Sequence, residues 1–109
     1  MPNVSQPHIK AVFARNLQAL RARARSSQEA TSAQLGVQRS TYSSWELGNS
    51  EPNITYLAAI QKHYNIGLDL LLHAELANLK EFQWRALLPH MQPRYITGFG
   101  SRVEPKPEQ

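Results

Sequence analysis

The residues best suited to chemistry sit in one short stretch, "VQRSTYSSWELGN" at 37–49. Gln38 and Arg39 carry long hydrogen-bonding side chains; Ser40, Ser43 and Ser44 carry short ones; Tyr42 and Trp45 are large rings three residues apart. On a helix turning 100° per residue, the two rings fall on one side with Glu46 at their edge. Ser40, Ser43, Ser44 and Leu47 fall on the other, with Arg39 at its margin. A helix of this kind is anchored by its rings and presents a thin outer face. The major groove of DNA, about 12 Å wide, admits such a helix. There Arg39 could donate two hydrogen bonds to guanine and Gln38 could pair with adenine, while serines donate or accept and discriminate poorly. The chemistry is recognition.

Other chemistries find no footing. His8, His63, His73 and His90 are scattered, with no i, i+4 pair and no cysteine or carboxylate cluster to complete a metal site. There is no G-x-S-x-G nucleophile elbow and no glycine-rich phosphate loop. No catalytic residue, metal or cofactor is expected. The 109 residues contain no cysteine, which excludes disulfides and makes a reducing, cytoplasmic (nucleoid-associated) setting the default expectation. No apolar run near the N-terminus reads as a signal peptide, and none approaches the roughly 18 residues needed to span a bilayer.

The net charge of +4 is unevenly placed. Residues 1–48 hold six Lys or Arg against Glu29 and Glu46, whereas residues 49–109 hold six against six. A basic half points toward a polyanionic partner.

The elements that must position the 37–49 stretch follow from periodicity. Ile9, Val12, Phe13, Leu17 and Leu20 recur at helical spacing, predicting a helix over about 7–25. Ser26 and Ser27 offer an N-cap, and Ser26 with Glu29 has capping-box spacing. A second helix runs over 28–35 and is stopped by Gly36, which can turn left-handed without steric cost. The third runs to about 47 and is stopped by Gly48 and Asn49. Thr55 is expected to cap a fourth helix carrying Leu57, Ile60 and Tyr64, closed by Asn65. A short fifth helix follows at 68–72. Leu76, Leu79, Phe82 and Leu87 then form a stripe that predicts one continuous helix over 75–88, with Trp84 off the stripe. The tail, 91–109, reads as largely irregular, with one short strand at 94–97.

Residues 27–72, with the Leu35-Gly36-Val37 turn, the Ser40–Gly48 segment, Pro52 and the leucine-rich Leu68–Leu72 end, resemble the lambda-repressor-like (phage repressor and Cro, XRE-type) helix-turn-helix DNA-binding family. The resemblance implies an all-α fold: a five-helix domain at 7–73, an additional C-terminal helix at 74–90, and a flexible tail. It also implies roles. Gln28 would grip a phosphate; Gln38, Arg39, Ser40, Ser43 and Ser44 would face bases or the adjacent backbone. Asn49 and Ser50 would touch phosphates, and Arg21 and Glu46 would form a structural ion pair. Thr31 stands where the family has a large aliphatic residue, which should weaken helix 2 packing. The expected partner is double-stranded DNA, bound as a palindromic operator by a homodimeric repressor. Leu76, Leu79, Phe82, Trp84 and Leu87 are expected at a dimer or protein-partner interface. Two alternatives remain: an antitoxin binding its toxin through 74–109, and a protein-interaction module that does not bind DNA.

Overall fold

A computed structural model describes residues 6–91. All of the regular elements among them are helical: α1 (Gln6–Ala24), α2 (Gln28–Leu35), α3 (Arg39–Glu46), α4 (Ile54–Tyr64), α5 (Leu68–His73), a 3₁₀ turn (Leu76–Asn78) and α6 (Glu81–Leu87). The strand expected at 94–97 and the rest of the tail lie outside the described residues.

The longest helix, α1, is the spine. Its buried stripe, Val12, Phe13, Leu17 and Leu20, packs against α5, α3 and the 3₁₀ turn. The second layer is α2 on α3, with α4 closing over α2. The turn between α2 and α3 is tight because Gly36 takes a left-handed φ of 76°, so its own N–H and that of Val37 return to the carbonyls of Ala33 and Ser32. Ser27, not Ser26, caps α2 by accepting from the Ala30 N–H at 3.0 Å. The Ser26 hydroxyl instead meets that of the fully buried Thr31 at 2.9 Å, so the expected Ser26–Glu29 capping box does not form. That bond is how α2 tolerates a polar residue at a core position: the hydroxyl is satisfied rather than merely buried.

Two further expectations are corrected. The cap of α4 is Asn53, whose side-chain oxygen accepts from the Tyr56 N–H at 3.0 Å, and Thr55 already lies inside the helix. The predicted continuous helix over 75–88 is broken. After the 3₁₀ turn, Leu79 and Lys80 are extended and α6 starts anew at Glu81. No proline or glycine causes the break. Asn16, fully buried in α1, reaches across to this segment. Its amide nitrogen donates to the carbonyls of Leu71 and Ala74, both at 2.7 Å, and more weakly to that of Leu70. Its oxygen accepts from the Leu76 N–H at 3.0 Å. One side chain thus ties the end of α5 and the start of the 3₁₀ turn to α1, and the new helix is capped where the Gln83 side chain accepts from the Lys80 N–H. The chain then folds back as an arm, 74–91, along α1.

Candidate nucleic-acid interface

Along α3, Tyr42, Trp45 and Glu46 are buried, while Gln38, Arg39, Ser40 and Thr41 are exposed and Ser43 and Ser44 half-buried. The rings clamp the helix as their spacing requires. Tyr42 and Trp45 meet edge-on with centroids 5.9 Å apart, and Trp45 contacts Tyr56 of α4 at 5.7 Å. Gln38 makes no capping bond with its side chain, leaving it on the outer face.

The C-terminal end of α3 is fixed by charge. Glu46, 3% exposed, receives Arg21 through two nitrogens, Nε at 2.6 Å and Nη2 at 3.0 Å. Gln28 donates to the same carboxylate at 2.9 Å, and Gln18 donates to the Glu46 carbonyl at 2.7 Å. Arg21 also bonds the Ser26 carbonyl at 3.1 Å, so one guanidinium ties α1, the start of α2 and the end of α3 together. Burial alone would raise the Glu46 carboxyl; hydrogen bonding led by Arg21 outweighs it and holds the group below the usual carboxylate range. Behind this network the hydroxyls of Tyr42 and Tyr64 are buried without a hydrogen bond of ordinary geometry, although Glu46 and Thr31 lie close enough to polarise them. Desolvation pushes both up, Tyr64 to about 12, so both remain neutral.

The sequence-predicted contact residues therefore gather at one surface. Gln38, Arg39 and Ser40 stand at the N-terminal end of α3. The Ser44 hydroxyl is joined to that of Ser50 at 2.7 Å, which fixes the loop after α3 to its last turn, and Asn49 is exposed beside it. Gln28 lies at the edge of this surface and spends one amide hydrogen on Glu46. Two residues not assigned from the sequence belong here: Thr41, exposed on α3, and Leu47, 69% exposed just past its end. Leu47 was legible from the helical wheel; Thr41, at the wheel's margin, was not.

The five residues expected at a partner interface separate. Leu76 and Trp84 are buried in the chain's own core, and Leu79 packs partly against it. Trp84 is held by Arg23, whose guanidinium lies 4.8 Å from the ring centroid. Leu76 and Trp84 are thus taken up by the chain's own core, Leu76 in the 3₁₀ turn on α1 and Trp84 under Arg23. Phe82 and Leu87 remain exposed. Among the described residues no group of His, Asp or Glu could hold a metal ion, and no helix is long and apolar enough to cross a membrane.

A buried-ring helix with a thin exposed face, set by a tight left-handed turn against a preceding helix, defines a helix-turn-helix unit. The helix-turn-helix family model matches residues 17–71, from the middle of α1 through α5. The chain belongs to this XRE/Cro-type, lambda-repressor-like family of DNA-binding transcriptional regulators, whose domains are non-catalytic. It is 37% identical over 87 residues to the HTH-type transcriptional activator BcrR of Enterococcus faecalis, covering 79% of this chain and 42% of that protein. It is 35% identical over 72 residues to the uncharacterized HTH-type transcriptional regulator YqaE of Bacillus subtilis (strain 168), covering 66% of this chain and 61% of that one. The chain thus spans 42% and 61% of these two relatives. No solved structure matches it.

Proposed function

We propose that this chain is a homodimeric repressor that reads a palindromic operator through α3. The observation that carries the reading is the exposed N-terminal end of α3, with Gln38, Arg39 and Ser40 outward and both rings of the helix turned inward. In this reading Arg39 reads guanine and Gln38 adenine. Ser43, Ser44, Asn49 and Ser50 lie along the adjacent backbone, and Gln28 offers its second amide hydrogen to a phosphate. Two long readers per half-site make a thin code, so DNA shape and half-site spacing supply the rest. The dimer surface then centres on the exposed apolar residues of α6, Phe82 and Leu87. Repression needs only occupancy of the operator; the activation named for the enterococcal relative belongs to a protein of which this chain matches 42% and is not carried over. The toxin-binding alternative through 74–109 would have to do without Leu76 and Trp84, which lie in the chain's own core.

The test is selection of bound sequences from random duplex DNA across a salt series, with the mass of the protein in solution measured alongside. An enriched inverted repeat bound by a dimer is expected, with affinity falling steeply as salt rises. Arg39→Ala is expected to lose about 1–3 kcal/mol of discrimination at one position per half-site. A folded protein that enriches no sequence would overturn the reading.

A further inference from the structure

Between the first half of α1, the start of α4 and α5, the surface dips into an apolar hollow of about 130 Å³. Ile9, Phe13, Leu57 and Leu72 line it, and Lys10 and Glu51 are the charged residues of its lining. A cavity of about 150 Å³ takes up benzene, so this one has the size for a single branched aliphatic side chain. Such a side chain stands beside it. Ile54 opens α4 and is 81% exposed, the highest value among the exposed large apolar residues described. It is one helical turn from Leu57, so knob and hollow are neighbours on one face. The knob is held in place, because Asn53 caps the first turn of α4 by accepting from the Tyr56 N–H. Leu68, half-buried at the start of α5 and one turn before Leu72, extends the apolar surface.

An isolated exposed isoleucine needs no explanation. This one is set apart by its surroundings: a hollow of its own size and two opposite charges left unused. Lys10 and Glu51 both line the adjoining cleft between α1 and the end of α3 as well, yet among the described residues no ion pair or hydrogen bond engages either side chain. Knob, hollow, base and acid on one face form a self-complementary set. A two-fold contact uses such a set twice, since residue i of one copy meets j of the other and j meets i.

We propose that this face binds a second copy of the chain. Ile54 of each copy enters the hollow of the other, and Lys10 of each meets Glu51 of the other. Phe13 lies ten residues before Arg23 on α1, about 15 Å, and Arg23 is the residue that holds α6. The contact is therefore separate from the exposed face of α6. Two inserted side chains and two ion pairs make a small contact, below the size of a stable interface. It forms at high concentration, or between copies already held close on one duplex. The joining of operator-bound dimers on neighbouring sites rests on the function proposed above; the contact itself does not, and its test needs no DNA.

The full chain carrying Phe82→Ser is sedimented from micromolar to millimolar concentration, so that the association followed does not run through Phe82. Self-association is expected at the upper end of the series. Added to this chain, Lys10→Glu or Glu51→Lys sets like charges against each other and should weaken association roughly tenfold or more. Both reversals together should restore it nearly to the starting value, which damage to the fold would not do. Ile54→Asp, at a position with little packing to lose, should remove association and leave the melting temperature level. A chain that stays monomeric throughout would leave the face to a different occupant and overturn the proposal. Association untouched by Ile54→Asp would overturn it too, as would a double reversal no stronger than the single ones.

Discussion

Two arginines, two residues apart on α1, each clamp a glutamate through two nitrogens, and they hold different parts of the molecule. Arg21 grips Glu46 and so fixes the reading helix; Arg23 grips Glu81 and so fixes the arm. The burial is inverted between them. In the first pair the carboxylate is the hidden member, at 3% exposure against 25% for the arginine. In the second the arginine is hidden, at 9%, and the carboxylate is half in water, at 46%. A charge pair is worth most where removing one partner strands the other without solvent. The reading unit is therefore braced by a pair that must not be broken, and the arm by one whose acid can leave cheaply.

The largest expected effect tests the first half of that contrast. Arg21→Ala strands a buried carboxylate and should cost about 3–5 kcal/mol, read from denaturant midpoints. The double replacement Arg21→Met with Glu46→Leu should recover most of it, because neither charge is then stranded. Acid should act in the same direction. The folded carboxyl of Glu46 is held below its unfolded value, so its contribution is whole above the ordinary carboxylate range, near 4.5, and is lost as pH falls through the lower folded value. A double variant no more stable than Arg21→Ala would break the argument from stranding.

How much of this was legible in the sequence differs between the two clamps. Tyr42 and Trp45 advertise a buried face by spacing alone, and Glu46 falls at its edge on the same wheel; the family resemblance supplied Arg21 as partner. All of this belongs to a compact unit whose local pattern and tertiary role agree. The Arg23–Glu81 clamp spans 58 residues, and nothing in the local pattern around either residue points to the other. The stripe of Leu76, Leu79, Phe82 and Leu87 has true helical spacing, yet the helix is interrupted at Leu79 and Lys80, where the Gln83 side chain accepts from the Lys80 N–H and caps a new helix. Periodicity reports which residues are apolar, whereas the pairing of the backbone groups decides where a helix ends. The same competition, over a shorter range, moved the α4 cap from Thr55 to Asn53, two acceptable caps separated only by geometry.

The next largest effect falls on the arm. Arg23→Ala removes the bond to the Met91 carbonyl, both bonds to Glu81 and the stacking on Trp84. A loss of about 1–3 kcal/mol is expected, confined to the arm: protease cleavage near residues 80–91 should accelerate while α1 to α5 keep their helical signal. If the whole domain unfolded in one step at a lower denaturant concentration, with no early cleavage of the arm, the two regions would be a single cooperative unit and the contrast would fail.

Glu81→Gln should do much less than Arg23→Ala, because the lost carboxylate was solvated and Arg23 keeps Met91 and Trp84. Hydrogen bonds from Arg23 and then Arg85 hold the Glu81 carboxyl down to about 2, so its share of arm docking persists as pH falls below the ordinary carboxylate range and disappears only toward pH 2. Arm cleavage followed against pH should therefore stay flat for the parent chain until strongly acid conditions, and Glu81→Gln should shift the curve only slightly at neutral pH. A cleavage rate as fast as that of Arg23→Ala would mean the exposed acid, and not the buried arginine, secures the arm.

The smallest expected effect on the folded chain is that of Phe82→Ser, and it separates what the arm does for its own chain from what it offers a second copy. Phe82 is 67% exposed on the side of α6 opposite Trp84, and Leu87 is 46% exposed at the end of the same helix. Its removal takes no packing from the core, so the unfolding free energy of the monomer should change by no more than about 0.5 kcal/mol. A large ring left in water is nonetheless the group an isologous interface would bury, since in a two-fold dimer each copy presents the same patch to the other. Sedimentation of Phe82→Ser should then show the dimer dissociating at concentrations where the parent remains associated, and operator affinity should fall with the dimer while Arg39 discrimination per half-site is unchanged. If association were untouched, the two-fold contact would lie elsewhere. Leu47, just past α3, and Ile54, the first residue of α4, both strongly exposed, would be the next to replace.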